Sequence, residues 1–159
     1  YRITYDGRPL SKAPKIAGAT IPELLDALKS PEDRVRYRAR LKLTSRKSDD
    51  VIAAAADWIG KLDKNDPDFE HHVLEGLWLH QNHNVANRDL LKKVLSSPDH
   101  RARAAATRVL CYQRDQISDA LELLKELAAD KHPRVRLEAV RAASFFNNPE
   151  AIEVALIAA

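Results

Sequence analysis

The sequence contains little of several residue types that specialised folds require. Its 159 residues include one cysteine, four glycines and 6% aromatic residues. The single cysteine, Cys111, excludes an internal disulfide framework, although it does not fix the cellular compartment. The shortage of glycine and aromatic residues argues against a β-sandwich. Gly7, Gly18, Gly60 and Gly76 are too isolated to form a glycine-rich phosphate loop.

Long apolar runs and a strong excess of one charge are also missing. No apolar run approaches the roughly 18 to 20 residues that a membrane span needs. The 26 basic and 23 acidic residues leave a net charge of +3, which is too mild to require a nucleic-acid or membrane partner. The abundant residues are Ala, Leu, Arg, Lys and Glu, the strong helix formers. The composition therefore predicts a helical protein.

An internal repeat of 33 to 34 residues organises the chain. Its copies align in three columns: Val35, Phe69, Ala102 and Val135; Ala39, Val73, Ala106 and Ala139; and Leu43, Leu77, Leu110 and Ala143. Within each copy the three positions are spaced i, i+4, i+8, which places them on one stripe of a helix. The repeat therefore predicts one such helix, here called helix B, in each copy.

A leucine-rich helix, helix A, is predicted before each helix B. Ser30-Pro31, Asp66-Pro67 and Ser97-Pro98 are typical of an N-cap followed by proline in the first turn, and we expect them to begin the B helices. Thr20 to Glu23 is expected to cap the first A helix, and Asn148-Pro149 to open a truncated fifth one. A single pair cannot bury its apolar face alone, whereas stacked pairs can. The predicted fold is an all-α superhelical solenoid of about four helix pairs plus a truncated fifth, with a short extended N-terminal segment.

The N-terminal segment has a different pattern. Residues 1–9, YRITYDGRP, alternate as a strand does and then reach a turn. We interpret residues 1–19 as an extended tail and linker, containing the exit strand of a preceding β domain, and residues 20–159 as the helical array. The chain begins without Met and stops inside a predicted helix, which suggests a fragment of a longer protein.

Two resemblances follow from these motifs. Asp33-Arg34-Val35-Arg36 before Ala39, and Pro133-Arg134-Val135-Arg136 before Ala139, resemble the second helix of HEAT repeats. The order YRITYDGRP, IPELLDALKSPEDRVRYRAR, DPDFEHHVLEGLWLHQNHNV, RARAAATRVLCYQRD resembles membrane-bound-dehydrogenase-like proteins of planctomycetes and verrucomicrobia. That family joins a β-propeller, a HEAT segment and a c-type haem domain, which implies an extracytoplasmic location. The chain has no C-x-x-C-H and no propeller, so the resemblance transfers no haem, sugar or quinone site.

Histidines and carboxylates are concentrated in one predicted helix, about residues 67–83. The candidate metal ligands there are His72, Glu75, His80 and His83, since imidazole and carboxylate suit borderline metals. One helix presents only two such ligands on a face, and a site normally needs three or four. We therefore assign no metal and interpret the helix as polar, with histidine packing beside Trp78.

Two columns of arginine form the other candidate site: Arg34, Arg101 and Arg134, and Arg36, Arg103 and Arg136. An arginine ladder on the B helices could track phosphates, as in HEAT-like DNA glycosylases. Asp68 and Glu70 occupy the same columns in the second copy and interrupt it. The alternatives are a structural ladder, with Arg36, Glu70 and Arg103 pairing between repeats, or a surface that binds a protein partner.

The predicted function is a non-catalytic scaffold that mediates interdomain or protein–protein contacts within a larger protein, which the second resemblance implies is dehydrogenase-like. The alternative is a nucleic-acid-binding or DNA glycosylase-type module that uses the helix-B arginines. The sequence shows no recognisable Ser-His-Asp or Cys-His-Asn motif, so we assign no catalytic residue and no cofactor. Cys111, Trp58 and Trp78 are expected to be core residues.

Overall fold

The computed structural model describes Gly7 and residues 14–159 of the chain. This part forms nine α-helices and no strand. The helices are α1 (Ile21–Ala27), α2 (Asp33–Thr44), α3 (Ser48–Gly60), α4 (Phe69–Asn82), α5 (Arg88–Leu95), α6 (His100–Gln113), α7 (Ala120–Ala128), α8 (Pro133–Ala143) and α9 (Ile152–Ala158). The strand predicted at residues 1–9 lies, apart from Gly7, outside the described residues.

Helices alternate between two layers. The A layer contains α1, α3, α5, α7 and α9, and the B layer contains α2, α4, α6 and α8. Each B helix packs against the A helix before it and against the next B helix, and α9 packs on α7 and α8. The all-α solenoid of four helix pairs and a partial fifth is thereby confirmed.

The three repeat columns form the centre of the B layer. Every column residue is buried except Val35 and Phe69, which are half-buried. The A helices contribute leucines to the same core, among them Leu24, Leu91 and Leu124, each fully excluded from solvent. Burying one such side chain stabilises the fold by about 1.5–3 kcal/mol, so packing between layers dominates the stability of the array.

Of the five predicted helix starts, one agrees with the structure and three differ from it. At the fifth, Asn148-Pro149 opens a 3₁₀ turn, Pro149–Ala151, that leads into α9. Thr20 caps α1 as expected, and together with Glu23 it forms a capping box. The predicted caps Ser30, Asp66 and Ser97 do not cap helices. Each accepts a hydrogen bond from the backbone N–H two residues later, which closes a separate turn before the helix. The helices α2, α4 and α6 therefore begin two or three residues further on, after Glu32, Asp68 and Asp99.

A glycine in α4 accommodates the close approach of the Ile59 side chain from α3. A Cβ added at Gly76 would overlap Ile59 Cδ1 and lie 2.9 Å from Ile59 Cγ1. A Cβ at Gly60, at the end of α3, would meet nothing within 4 Å. Neither glycine has a positive φ, and they differ in packing and in helix position, since Gly76 is inside α4 and Gly60 is the last residue of α3. Gly60 therefore serves as the uncrowded comparison.

We predict that Gly76→Ala destabilises the protein by about 1 kcal/mol, since overpacking outweighs the better helix propensity of alanine. Gly60→Ala should stabilise it by up to about 1 kcal/mol. Urea unfolding followed by circular dichroism measures both. Adding Ile59→Ala should reverse the sign of the Gly76→Ala effect; equal effects of the two glycine variants would contradict the close contact.

Candidate partner-binding surface

The two predicted arginine columns have different environments. Arg36, Arg103 and Arg136 point back toward the loop that joins helices A and B. Through Nη1 they donate to the carbonyl oxygens of Ser30, Ser97 and Asp130, respectively, at 2.8, 2.8 and 3.0 Å. Each accepting carbonyl lies six residues before its arginine. This column therefore fixes the A–B loop, and the second repeat, with Glu70 at this position, lacks the contact.

Arg103 is the most deeply placed member of this column. Its side chain is 7% exposed, and its Nε and Nη2 donate to the two carboxylate oxygens of Asp130 at 2.7 and 2.9 Å. This bidentate pair raises the pKa of Arg103 and lowers the pKa of Asp130. Asp130 also accepts from the N–H of His132, so the pair connects α6 to the loop before α8.

The other column, Arg34, Arg101 and Arg134, is exposed. Arg101 pairs with Asp99 at 3.0 Å, and Arg134 Nε lies 3.5 Å from Glu138. Partner binding by the six arginines stays a prediction. The structure divides them into a set that holds loops and a set that faces solvent.

A buried carboxylate joins α2 to α4. Glu75 is 0% exposed and accepts from Arg40 Nη1 at 2.6 and 2.7 Å, while Arg36 Nε and His71 Nε2 lie 3.5 and 3.3 Å away. The expectation that Glu70 bridges the repeats is wrong. Glu70 stands at the register position that faces the A–B loop in the other repeats, whereas Glu75 faces the neighbouring B helix.

A second buried carboxylate joins α6 to α8. Glu138 is 5% exposed and accepts from Arg108 Nε and Nη2. Arg134 and Arg141 each approach it to 3.5 Å. Both B-layer seams described here therefore contain one buried glutamate surrounded by three basic side chains.

The predicted metal candidates make separate contacts. His72 Nδ1 lies 3.6 Å from Asp66, Glu75 binds Arg40, and His83 Nδ1 lies 3.0 Å from Ser48 Oγ. In the part of the chain that the structure describes, no three His, Cys, Asp or Glu residues converge on a point that could hold a metal ion.

His80 connects α4 to the start of α5. Its Nδ1 lies 3.1 Å from the Val85 carbonyl oxygen, and its Nε2 lies 3.4 Å from Asn87 Nδ2. The neutral tautomer with hydrogen on Nδ1 satisfies both contacts. Asn87 in turn caps α5 by accepting from the N–H of Leu90. Burial lowers the pKa of His80, and burial also lowers that of His72.

Of the three residues expected in the core, one is buried and two are half-buried. Trp58 is buried, as predicted. Trp78 is only half-buried, and the Arg40 guanidinium lies 5.3 Å from its ring centre. Cys111 is also half-buried, and burial raises the pKa of its thiol, which disfavours the reactive thiolate.

The sequence interpretation missed an apolar stripe on the B helices. Tyr37, Leu41, Tyr112, Leu137 and Phe145 are 50–61% exposed. Tyr37, Leu41, Tyr112 and Leu137 stand two, six or ten residues after the first column, about 200° around their helices from the buried stripe, and Phe145 lies in the turn just after α8. The repeat alignment alone does not single them out, because Glu75 and Leu79 of α4 occupy the same register positions and are buried. These five exposed residues are called here the outer face of the B layer.

Comparison with known proteins gives a family match over part of the chain. Residues 87–159, from the cap of α5 through α9, match the family model described as HEAT repeats. No curated protein and no solved structure gives a significant match. The HEAT-repeat segment expected from the sequence is thus supported, and HEAT repeats generally mediate protein–protein contacts. No helix among the described residues is long and apolar enough to cross a membrane.

We predict that the two arginine columns differ in their effect on stability. Arg103→Ala should lower the free energy of unfolding by about 2–4 kcal/mol, because it removes the cation beside Asp130 and the donor to the Ser97 carbonyl in a largely buried place. Arg101→Ala, two residues away on the same helix, should leave it nearly unchanged. Urea unfolding curves for both variants measure the difference. A large loss of stability in Arg101→Ala would contradict the division of the arginines into a loop-holding set and a solvent-exposed set.

We also predict a loss of stability in mild acid. Burial holds the pKa of His72 and of His80 below the value near 6.5 of unfolded histidine. Below that value the unfolded state binds more protons, so the unfolding free energy should fall between about pH 7 and pH 5. Urea unfolding across this range measures the slope. Replacing His72 and His80 by glutamine should reduce the slope, with His132, whose pKa burial also lowers, contributing part of the remainder. An unchanged slope would show that other groups cause it.

Proposed function

We propose that this chain is a non-catalytic HEAT-type scaffold that binds a neighbouring domain or another protein through the outer face of its B layer. The observation that carries the proposal is the exposed stripe of Tyr37, Leu41, Tyr112, Leu137 and Phe145. Exposed apolar and aromatic side chains in one register are costly to leave in water and typical of contact surfaces.

The chemistry of the stripe supports a protein partner. Tyrosine and arginine are enriched where protein interfaces concentrate their binding energy. Tyr112 and Phe145 lie beside Arg108, Arg114 and Arg141 at the end of the α6–α8 seam. Such a mixture offers apolar contact and charge-assisted hydrogen bonds to one ligand.

The buried carboxylates support a binding role over a catalytic one. Glu75 and Glu138 are the buried acids of the described B helices, and each is hydrogen-bonded to a guanidinium. Each of these carboxylates already accepts hydrogen bonds from a neighbouring arginine, which favours a structural role over proton transfer to or from a substrate. The alternative of a DNA glycosylase-type module is also weakened by Asp68 and Glu70, which interrupt the basic columns on α4.

The wider context is a separate part of the proposal. The resemblance of residues 1–9 and of the helical segments to dehydrogenase-like proteins supports placement between a propeller and a haem domain, outside the cytoplasm. Its test is the gene sequence on either side of the segment. A propeller upstream and C-x-x-C-H downstream would support this context, and their absence would leave the scaffold proposal alone.

We predict that a photo-crosslinking residue placed at position 112 or 137 yields a discrete protein conjugate in the native host. The same residue at position 122, exposed on α7 in the A layer, should not. Mass spectrometry of the purified conjugates measures the difference. Equal conjugates from both layers, or none from the B layer, would contradict the proposed surface.

A further inference from the structure

We propose that the groove between α6 and α8 binds a short acidic peptide segment that carries an apolar side chain. This inference rests on the scaffold function and specifies the chemistry of its partner. It follows from the shape, the charge and the apolar end of one groove.

The groove consists of two adjoining depressions that share Arg108 and Glu138. One continues toward His100 and Arg134, and the other continues toward Tyr112 and Phe145. The imidazoles of His100 and His132 stack at one end with centroids 3.6 Å apart. A single extended segment lying along the seam could therefore occupy both depressions.

The charge of the groove is unbalanced at its centre. Arg108, Arg134 and Arg141 all approach Glu138, which is the only carboxylate within ion-pair distance of any of them in the described part of the chain. One carboxylate neutralises one guanidinium, so an excess of about two positive charges remains. The three arginine side chains are 45–58% exposed, and their free N–H groups are accessible to a ligand.

Glu138 also prepares these arginines for binding. It is buried, and its two oxygens hold the Arg108 guanidinium by two hydrogen bonds. Long arginine side chains lose conformational entropy when a ligand immobilises them, and part of that loss is already incurred here. A planar guanidinium held in this way suits bidentate recognition of a ligand carboxylate.

The far end of the groove selects for an apolar group. Tyr112 and Phe145 are 61% and 50% exposed, and Ala142 and Cys111 line the wall between them. The Arg114 guanidinium lies 5.8 Å from the ring centre of Phe145, which fixes one face of the ring. A leucine or phenylalanine of the ligand could pack against the remaining aromatic surface.

The location of the charge favours a peptide over a nucleic acid. A DNA duplex presents one phosphate charge per about 1.7 Å of its axis and rewards a long basic track. Here the surplus charge is confined to one seam. On α4, Asp68 and Glu70 replace the arginines, and Glu75 holds Arg40. A short acidic segment matches the length of the positive patch.

Fluorescence anisotropy with a labelled Glu-Glu-Leu-Glu-Glu-Phe peptide at about 50 mM salt tests the proposal on the full chain. Arg134→Glu with Arg141→Glu should weaken binding about 100-fold, near tenfold for each close charge pair. Arg34→Glu with Arg38→Glu changes the same charge on α2 of the same layer and should weaken it less than about threefold. Phe145→Ser should weaken binding about tenfold.

Circular dichroism of each variant shows whether it folds; if the double glutamate variant does not, Arg141→Gln serves in its place. Equal binding of a Gln-Gln-Leu-Gln-Gln-Phe peptide, or equal losses in the α2 control, would overturn the proposal. Tighter binding of duplex DNA through the same arginines would also overturn it. If the acidic peptide does not bind but crosslinks from position 112 are still observed, the scaffold function is supported and the proposed preference for acidic peptides is wrong.

Discussion

Burial of small residues in the middle repeat column is the constraint on which the rest of the structure depends. Ala39, Ala106 and Ala139 are fully excluded from solvent, and their small side chains allow neighbouring helices to approach closely. That approach brings Arg40 to Glu75 and Arg108 to Glu138 across the B-layer seams. The polar contacts are thus a consequence of apolar packing, which contributes more free energy than surface ion pairs do.

The polar groups of the B layer divide their roles by register. At the position one residue after the first column, an arginine donates to a backbone carbonyl oxygen and so holds the A–B loop. At the position one residue before the first column, an arginine faces solvent. At three or six residues after it, Glu138 and Glu75 take buried positions and gather several cations each. Because the acids are buried and the arginines remain partly exposed, the outer face is positive around Glu138 without a strongly basic composition.

Much of the fold follows from the sequence, and part of the site does not. The columns predicted the buried stripe, and the cap of the first helix at Thr20 to Glu23 was predicted correctly. The caps at Ser30 and Ser97 were placed too early, because a serine before proline can close a turn of its own. The prediction that Glu70 forms the ion pairs with the arginines of neighbouring repeats was also wrong. A helical alignment gives the angle of a side chain around its helix but not the neighbour that it meets.

The sequence by itself determined the all-α class, the repeat length and the apolar face of each helix, because these depend on contacts within a repeat and on its periodicity. Only the tertiary structure decided which arginines hold loops and which face solvent, and which glutamates are buried between helices. Those outcomes depend on the offset between successive B helices, which is set by side-chain packing across the seam. The partial exposure of Arg108, Arg134 and Arg141 around a single buried carboxylate is such an outcome.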